Sequence, residues 1–139
     1  MSGTAIFWPM LVQVALVYVI YALISRNRIR AVKSGNAKSS QFRENQVEPP
    51  ESLFYRNNLA NQFELPVLFY AACISLFVTG GASTVPVVLA WLFALSRIAH
   101  AVIHVTSNRL RYRRPVFTLG YLFLAVMWVW FALHLAGVI

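Results

Sequence analysis

The sequence predicts an all-α integral membrane protein, a single bundle of four transmembrane helices. Three observations predict it. Of 139 residues, 59% are hydrophobic and 12% charged, about half the charged fraction of an average soluble domain. Residues 1–25, 65–96 and 115–139 carry no charge at all. What charge remains is lopsided, with 12 Lys+Arg against 4 Asp+Glu and a net charge of +8, as expected where basic residues collect on one side of a bilayer. A water-soluble globule and a disordered chain are both excluded, and the length leaves no room for a separate catalytic module.

The first uncharged stretch suits one crossing of roughly 20 apolar residues, placed at about 5–25. Its basic residues follow it and none precedes it, so it reads as a retained anchor, not a secretory signal. Residues 26–32 can continue that helix beyond the membrane. A polar loop spans about 26–51, and its 33–46 segment, KSGNAKSSQFRENQ, has the composition of a mobile connection. Pro49-Pro50 ends the loop, and Glu51 or Ser52 can open the next helix, where a preceding proline and an acid in the first turn both help. The uncharged stretch of 32 residues would make a helix of about 48 Å, too long for one crossing. Gly80-Gly81 and Pro86 break it, giving crossings at about 57–79 and 84–104 joined by a tight turn. The last stretch supplies the fourth, about 115–137. None of these runs alternates polar with apolar, which disfavours a β-barrel.

Charge then sets topology. Arg26, Arg28, Arg30, Lys33, Lys38, Arg43 and Arg56 lie between the first two helices, and Arg109, Arg111, Arg113 and Arg114 between the last two. Both long loops are therefore expected in the cytoplasm and both termini outside, with Trp8 and Trp128/Trp130 in an aromatic belt at the outer ends. Contact with lipid headgroups accounts for most of this charge, and no nucleic-acid reading motif accompanies it. Cys73 is the only cysteine, so an intramolecular disulfide is excluded and the residue is expected to pack as a small hydrophobe. His134 stands alone near an outer end and reads as interfacial. His100 and His104 are four residues apart, but no second cluster supplies further metal ligands.

Two ionised residues fall within the predicted spans. Glu64 lies 16 residues before Gly80 and Arg97 lies 14 beyond Ser83, about 24 and 21 Å down their helices. Hung from one turn, they reach nearly equal depth and are expected to pair, since an unpaired charge there costs several kcal/mol. Asn57, Asn61 and Glu64 share one helical face; Arg97, His100 and His104 share another. With Arg109–Arg114 at the mouth, they outline a polar cavity suited to a small anion carrying one positive group. Its carboxylates would meet arginines, and its ammonium would meet Glu64. The alternative is an ion pair that locks the bundle, with the asparagines as interhelical hydrogen-bonding groups.

The segment Arg56-Asn-Asn-Leu-Ala-Asn61-Gln-Phe-Glu64-Leu-Pro66-Val-Leu-Phe69 resembles the second-helix signature of the MAPEG family, membrane-associated proteins in eicosanoid and glutathione metabolism. Arg97-Ile-Ala-His100, followed by Arg109-Leu-Arg-Tyr-Arg113, resembles the family's third-helix end and basic loop. The resemblance implies a homotrimer of four-helix subunits with glutathione bound between neighbours near the cytosolic side. It implies that Asn61 and Glu64 hold the tripeptide, that His100 and Arg113 bind it, and that Arg113 stabilises its thiolate as the catalytic residue. One of Arg26, Arg28 or Arg30 would reach a neighbour's site. The implied activity is a glutathione-dependent transferase or peroxidase acting on a lipophilic substrate, and the pattern suggests a bacterial inner-membrane member. The sequence departs from the family where His104 and Phe117 stand at positions often held by tyrosine. Arg114 stands where prostaglandin synthase-like members have serine. Two other readings stay open: a non-catalytic lipid- or ligand-binding relative, and a small proton-coupled multidrug exporter. Arg97 and the basic mouth speak against the exporter.

Overall fold

The computed structural model describes residues 3–43 and 47–139, and every regular element among them is a helix. A short 3-10 turn, Gly3–Ile6, leads into α1, Phe7–Lys33; α2 is Ser39–Arg43, α3 Pro50–Asn61, α4 Leu65–Val78, α5 Thr84–Val105 and α6 Leu110–Leu135. Four helical stretches are long and apolar enough to cross a membrane: Gly3–Lys33, Pro50–Val78, Thr84–Val105 and Leu110–Leu135.

Several helix ends lie well beyond the expected spans, because an apolar run marks what lies in lipid while hydrogen bonding carries the helix onward into water. α1 runs to Lys33, taking in residues 26–32 as anticipated, and α6 starts at Leu110. The segment read as a mobile connection contains the five-residue α2; its residues 44–46 lie outside the described residues, as do residues 1–2 of the first uncharged stretch. Gly35 ends α1 in the left-handed region at φ 82°, and Gly80 ends α4 at φ 74°. At Gly80 the amides of Gly80 and Gly81 return to the carbonyls of Phe77 and Leu76, closing a Schellman cap that turns the chain sharply into α5.

The turn end of the bundle is apolar. Ile6, Phe69, Leu76, Phe93, Leu124 and Met127 are buried together, and the Phe69 and Phe93 rings stack 4.4 Å apart. Cys73 is buried among them, in the packing role expected of it. In lipid such contacts stabilise by close packing, because tails are as apolar as the side chains. α5 and α6 approach closely at Gly120, where a Cβ would lie 2.7 Å from Ser96 Oγ. His134 is not alone: its Nε2 lies 3.0 Å from the carbonyl of Thr79, and its ring fills the space beside Gly81. The last turn of α6 thereby ties down the α4–α5 turn.

At the opposite end a forked ion pair fixes the long connection. Arg28 Nε and Nη2 each donate to Glu48 at 2.8 Å, and Ser52 Oγ donates to Glu48 at 2.5 Å. Burial pushes the Glu48 carboxyl up, but the bonds from Arg28 and Ser52 outweigh it and hold the group below its ordinary value. Arg28 also lies over the Phe42 ring at 5.0 Å, so the pair holds α2 against the end of α1.

Candidate functional site

The site begins with a break in the second crossing. Pro66 falls in the first turn of α4. It has no N–H for the Gln62 carbonyl, and its ring would collide with that oxygen in a continuous helix. The chain responds with tighter bonds, Phe63 N–H to Ala60 O at 3.1 Å and Glu64 N–H to Asn61 O at 3.3 Å. The predicted single helix is thus two, α3 and α4, with Glu64 at the joint.

This break explains why the expected Glu64–Arg97 pair does not form. Arg97 is 1% exposed, and its Nη2 donates to the carbonyl of Asn61 at 3.4 Å, at the C-terminal end of α3. Its guanidinium lies 5.8 Å from the Phe117 ring centre. A helix C-terminus carries partial negative charge, so the joint supplies part of the compensation that a carboxylate was expected to give, and Glu64 adds a charge attraction without an ion-pair contact. Among the described residues Glu64 has no ion pair, and its side chain is exposed at the joint.

Glu64 faces a cavity of about 580 Å³, within the roughly 300–1,000 Å³ typical of small-molecule sites. Asn57 and Asn61 from α3, His100 and His104 from α5, and Arg113, Arg114, Phe117 and Thr118 from α6 complete its walls. Arg113 is aimed by Asn108, whose Oδ1 accepts from its Nη1 at 2.5 Å. Asn108 sits in the turn before α6 at φ 50°, a left-handed conformation that asparagine tolerates. His100 Nδ1 is buried without a partner among the described residues, and its ring lies 5.5 Å from Phe117. The walls thus combine one carboxylate, two guanidiniums, two imidazoles and two carboxamides.

Behind this wall lies a chain of buried amides. Gln13 Nε2 donates to Gln62 Oε1 at 2.7 Å, and Gln62 Nε2 approaches Asn58 Oδ1 at 3.1 Å. Asn58 Nδ2 reaches His104 Nδ1 at 3.2 Å, with Asn61 Nδ2 3.4 Å from the same atom. Gln13, Gln62 and Asn58 are all buried, joining α1, the joint, α3 and α5.

A model of the MAPEG family matches residues 6–133, nearly the whole chain. The chain belongs to the MAPEG family. No curated protein and no solved structure matches it significantly. As a MAPEG protein it is an integral membrane protein of all-α architecture with four candidate crossings. The family includes glutathione transferases and peroxidases as well as other members.

Of the residues singled out from the sequence of this MAPEG protein, Asn57, Asn61, Glu64, His100, His104 and Arg113 line one cavity. Arg97 lies behind its wall, and Arg109 immediately precedes α6 on the exposed surface, outside the lining. Arg114, Phe117 and Thr118 complete the lining; they follow Arg113 at one, four and five residues, a helical face that was open to reading. The amides behind the wall were also signalled: Gln13 is a lone polar residue in an apolar run, and Asn58 and Gln62 are four apart. No group of three or more His, Cys, Asp or Glu among the described residues could hold a metal ion.

Proposed function

We propose that this MAPEG protein is a glutathione-dependent transferase or peroxidase acting on lipophilic electrophiles or hydroperoxides, with glutathione bound in the cavity beside Glu64. One observation carries the reading: an unpaired carboxylate and two guanidiniums line the same cavity on adjoining helices. Glutathione is a peptide with two carboxylates, one ammonium and one thiol, and each has a counterpart there. Glu64 meets the γ-glutamyl ammonium, the arginines meet carboxylate and thiolate, and Asn57 and Asn61 take peptide groups. The buried, partnerless His100 Nδ1 is a polar atom that a ligand would satisfy.

Arg113 is the proposed catalytic group. A guanidinium beside the sulfur lowers the thiol pKa and raises the thiolate fraction at neutral pH. Thiolate attack on an electrophilic carbon forms a thioether as the carbon's leaving group departs with its electron pair. Attack on a peroxide oxygen breaks the O–O bond, giving glutathione sulfenic acid and the alcohol, and a second glutathione then displaces water to form the disulfide. The second substrate would arrive through the bilayer, to which the exposed apolar surface of the helices is suited.

The active form in this reading is a homotrimer. Asn57, Glu64, Arg114 and Thr118 are exposed in the single chain yet belong to membrane-crossing helices. Exposing a charge to lipid costs about 2.5–3.5 kcal/mol or more, which favours a neighbouring subunit over that face. Both long loops would lie on the cytosolic side of a bacterial inner membrane, where glutathione is available.

The test is calorimetric titration of detergent-solubilised protein with glutathione. Saturable binding is expected, weakened about tenfold by Glu64→Gln, a loss of about 1.4 kcal/mol. Absence of binding to an intact oligomer would overturn the reading in favour of a non-catalytic ligand-binding relative.

A further inference from the structure

The amide chain behind the cavity has a direction, and that direction ends on His104. A backbone carbonyl can only accept a hydrogen bond. The Gln62 side-chain atom 3.4 Å from the Asn58 carbonyl is therefore the amide nitrogen, and the same atom lies 3.1 Å from the Asn58 side-chain oxygen. That leaves Gln62 Oε1 to accept from Gln13 Nε2 at 2.7 Å. It also leaves Asn58 Nδ2 as the atom facing His104 Nδ1 at 3.2 Å, with Asn61 Nδ2 directed at the same nitrogen. One fixed acceptor on the main chain thus orients every amide after it. The Asn58 donor at Nδ1 requires a lone pair there, so the ring proton resides on Nε2. His104 lines the cavity, and its Nε2 has no partner among the described residues.

We infer that His104 is a hydrogen-bond donor to the cavity ligand, fixed in the Nε2–H form by Gln13, Gln62 and Asn58 acting as positioning residues. The ligand group it takes is an acceptor, a carboxylate or a thiolate, and not an ammonium or amide N–H. Glu64 and His104 then divide the cavity by polarity, the first selecting a cation and the second an anion on one ligand. This deepens the proposed function and rests on it only for the identity of that ligand. The tautomer is a property of the ligand-free protein. At the far end Gln13 Oε1 is buried without a partner among the described residues, but the links from Gln13 Nε2 to His104 are all made, and reversing Gln62 or Asn58 leaves further buried groups unsatisfied.

The experiment is long-range proton–nitrogen NMR on the ligand-free protein with labelled histidine, the His104 signals assigned with His104→Gln. The wild type is expected to show a protonated Nε2 and an unprotonated Nδ1. Asn58→Asp replaces the donor with an acceptor and is expected to draw the proton to Nδ1. Gln62→Met, which removes the orienting amide without adding charge, is expected to give a mixture of the two forms. Glutathione titration of the same proteins should show about tenfold weaker binding in Asn58→Asp and a smaller loss in Gln62→Met. A wild-type ring protonated at Nδ1, or a tautomer unmoved in both variants, would overturn the inference. Wild-type protein with the expected tautomer but no glutathione binding would count against the proposed function alone, and titration with acetate would then test His104 as a carboxylate donor.

Discussion

At the scale of single residues, the site turns on which charges are compensated and which are not. Arg97 donates to a helix-end carbonyl and makes no ion pair with Glu64, whose carboxylate stays open to a ligand, although Arg97 Nε is buried without a partner among the described residues. Arg113 is aimed by Asn108, and Asn108→Ala should weaken glutathione binding and lower the bound thiolate fraction while leaving the fold intact, as read by titration and by thiolate absorbance. The Arg28–Glu48 pair makes a second prediction, about stability and pH. The Glu48 carboxyl is held below its ordinary value in the folded protein, so its contribution is present above the unfolded value, roughly 4.3, and is lost as pH falls through the lower folded value. Glu48→Gln should lower stability by about 1–3 kcal/mol at neutral pH. Melting temperatures of variant and wild type should converge as pH drops below the ordinary glutamate range. A difference that persists unchanged into strong acid would show that the pair contributes nothing through charge.

At the scale of elements, two contacts determine where the cavity walls stand. Gly120 allows α6 to lie against Ser96 on α5, and Gly120→Ala places a Cβ 2.7 Å from Ser96 Oγ. That overpacking should cost about 1–3 kcal/mol. In a Ser96→Ala background the nearest Ser96 atom to that Cβ is the side-chain carbon at 3.7 Å, so the cost should largely vanish in a double-mutant cycle of unfolding free energies. Equal costs in both backgrounds would place the strain elsewhere. Pro66 is the other determinant. Pro66→Ala restores the amide that a continuous helix needs, and spin-label distances between residues 54 and 77 should lengthen as the joint straightens. Glutathione affinity should fall with it, because Glu64 would leave the cavity wall. The helices were legible in the sequence because uncharged runs and Gly80-Gly81 mark them directly. The break was not, since Pro66 sits in a continuous apolar pattern, and depth counted along an unbroken helix pairs Glu64 with Arg97. His134 likewise has a partner that no side-chain pattern announces, the main-chain carbonyl of Thr79.

At the scale of the whole molecule, an apolar end packed around Phe69 and Phe93 carries a polar end built around the cavity. Part of the +8 charge lies at the site, because Arg113 and Arg114 near the start of α6 line the cavity. Five of the cavity residues, Asn57, Asn61, Glu64, His100 and His104, were legible from spacing on two faces, and Arg113 from the basic run at the mouth. The members of the amide chain stand out as polar residues, but their linkage is not legible, because it needs the three-dimensional meeting of α1 with the joint. The most direct test of the account is difference absorbance of the thiolate on adding glutathione to the oligomeric protein, in wild type and Arg113→Ala. A saturable thiolate signal near neutral pH is expected in the wild type, largely lost in Arg113→Ala while peptide binding persists. Glutathione that binds without any thiolate signal, or a signal unchanged by Arg113→Ala, would contradict it.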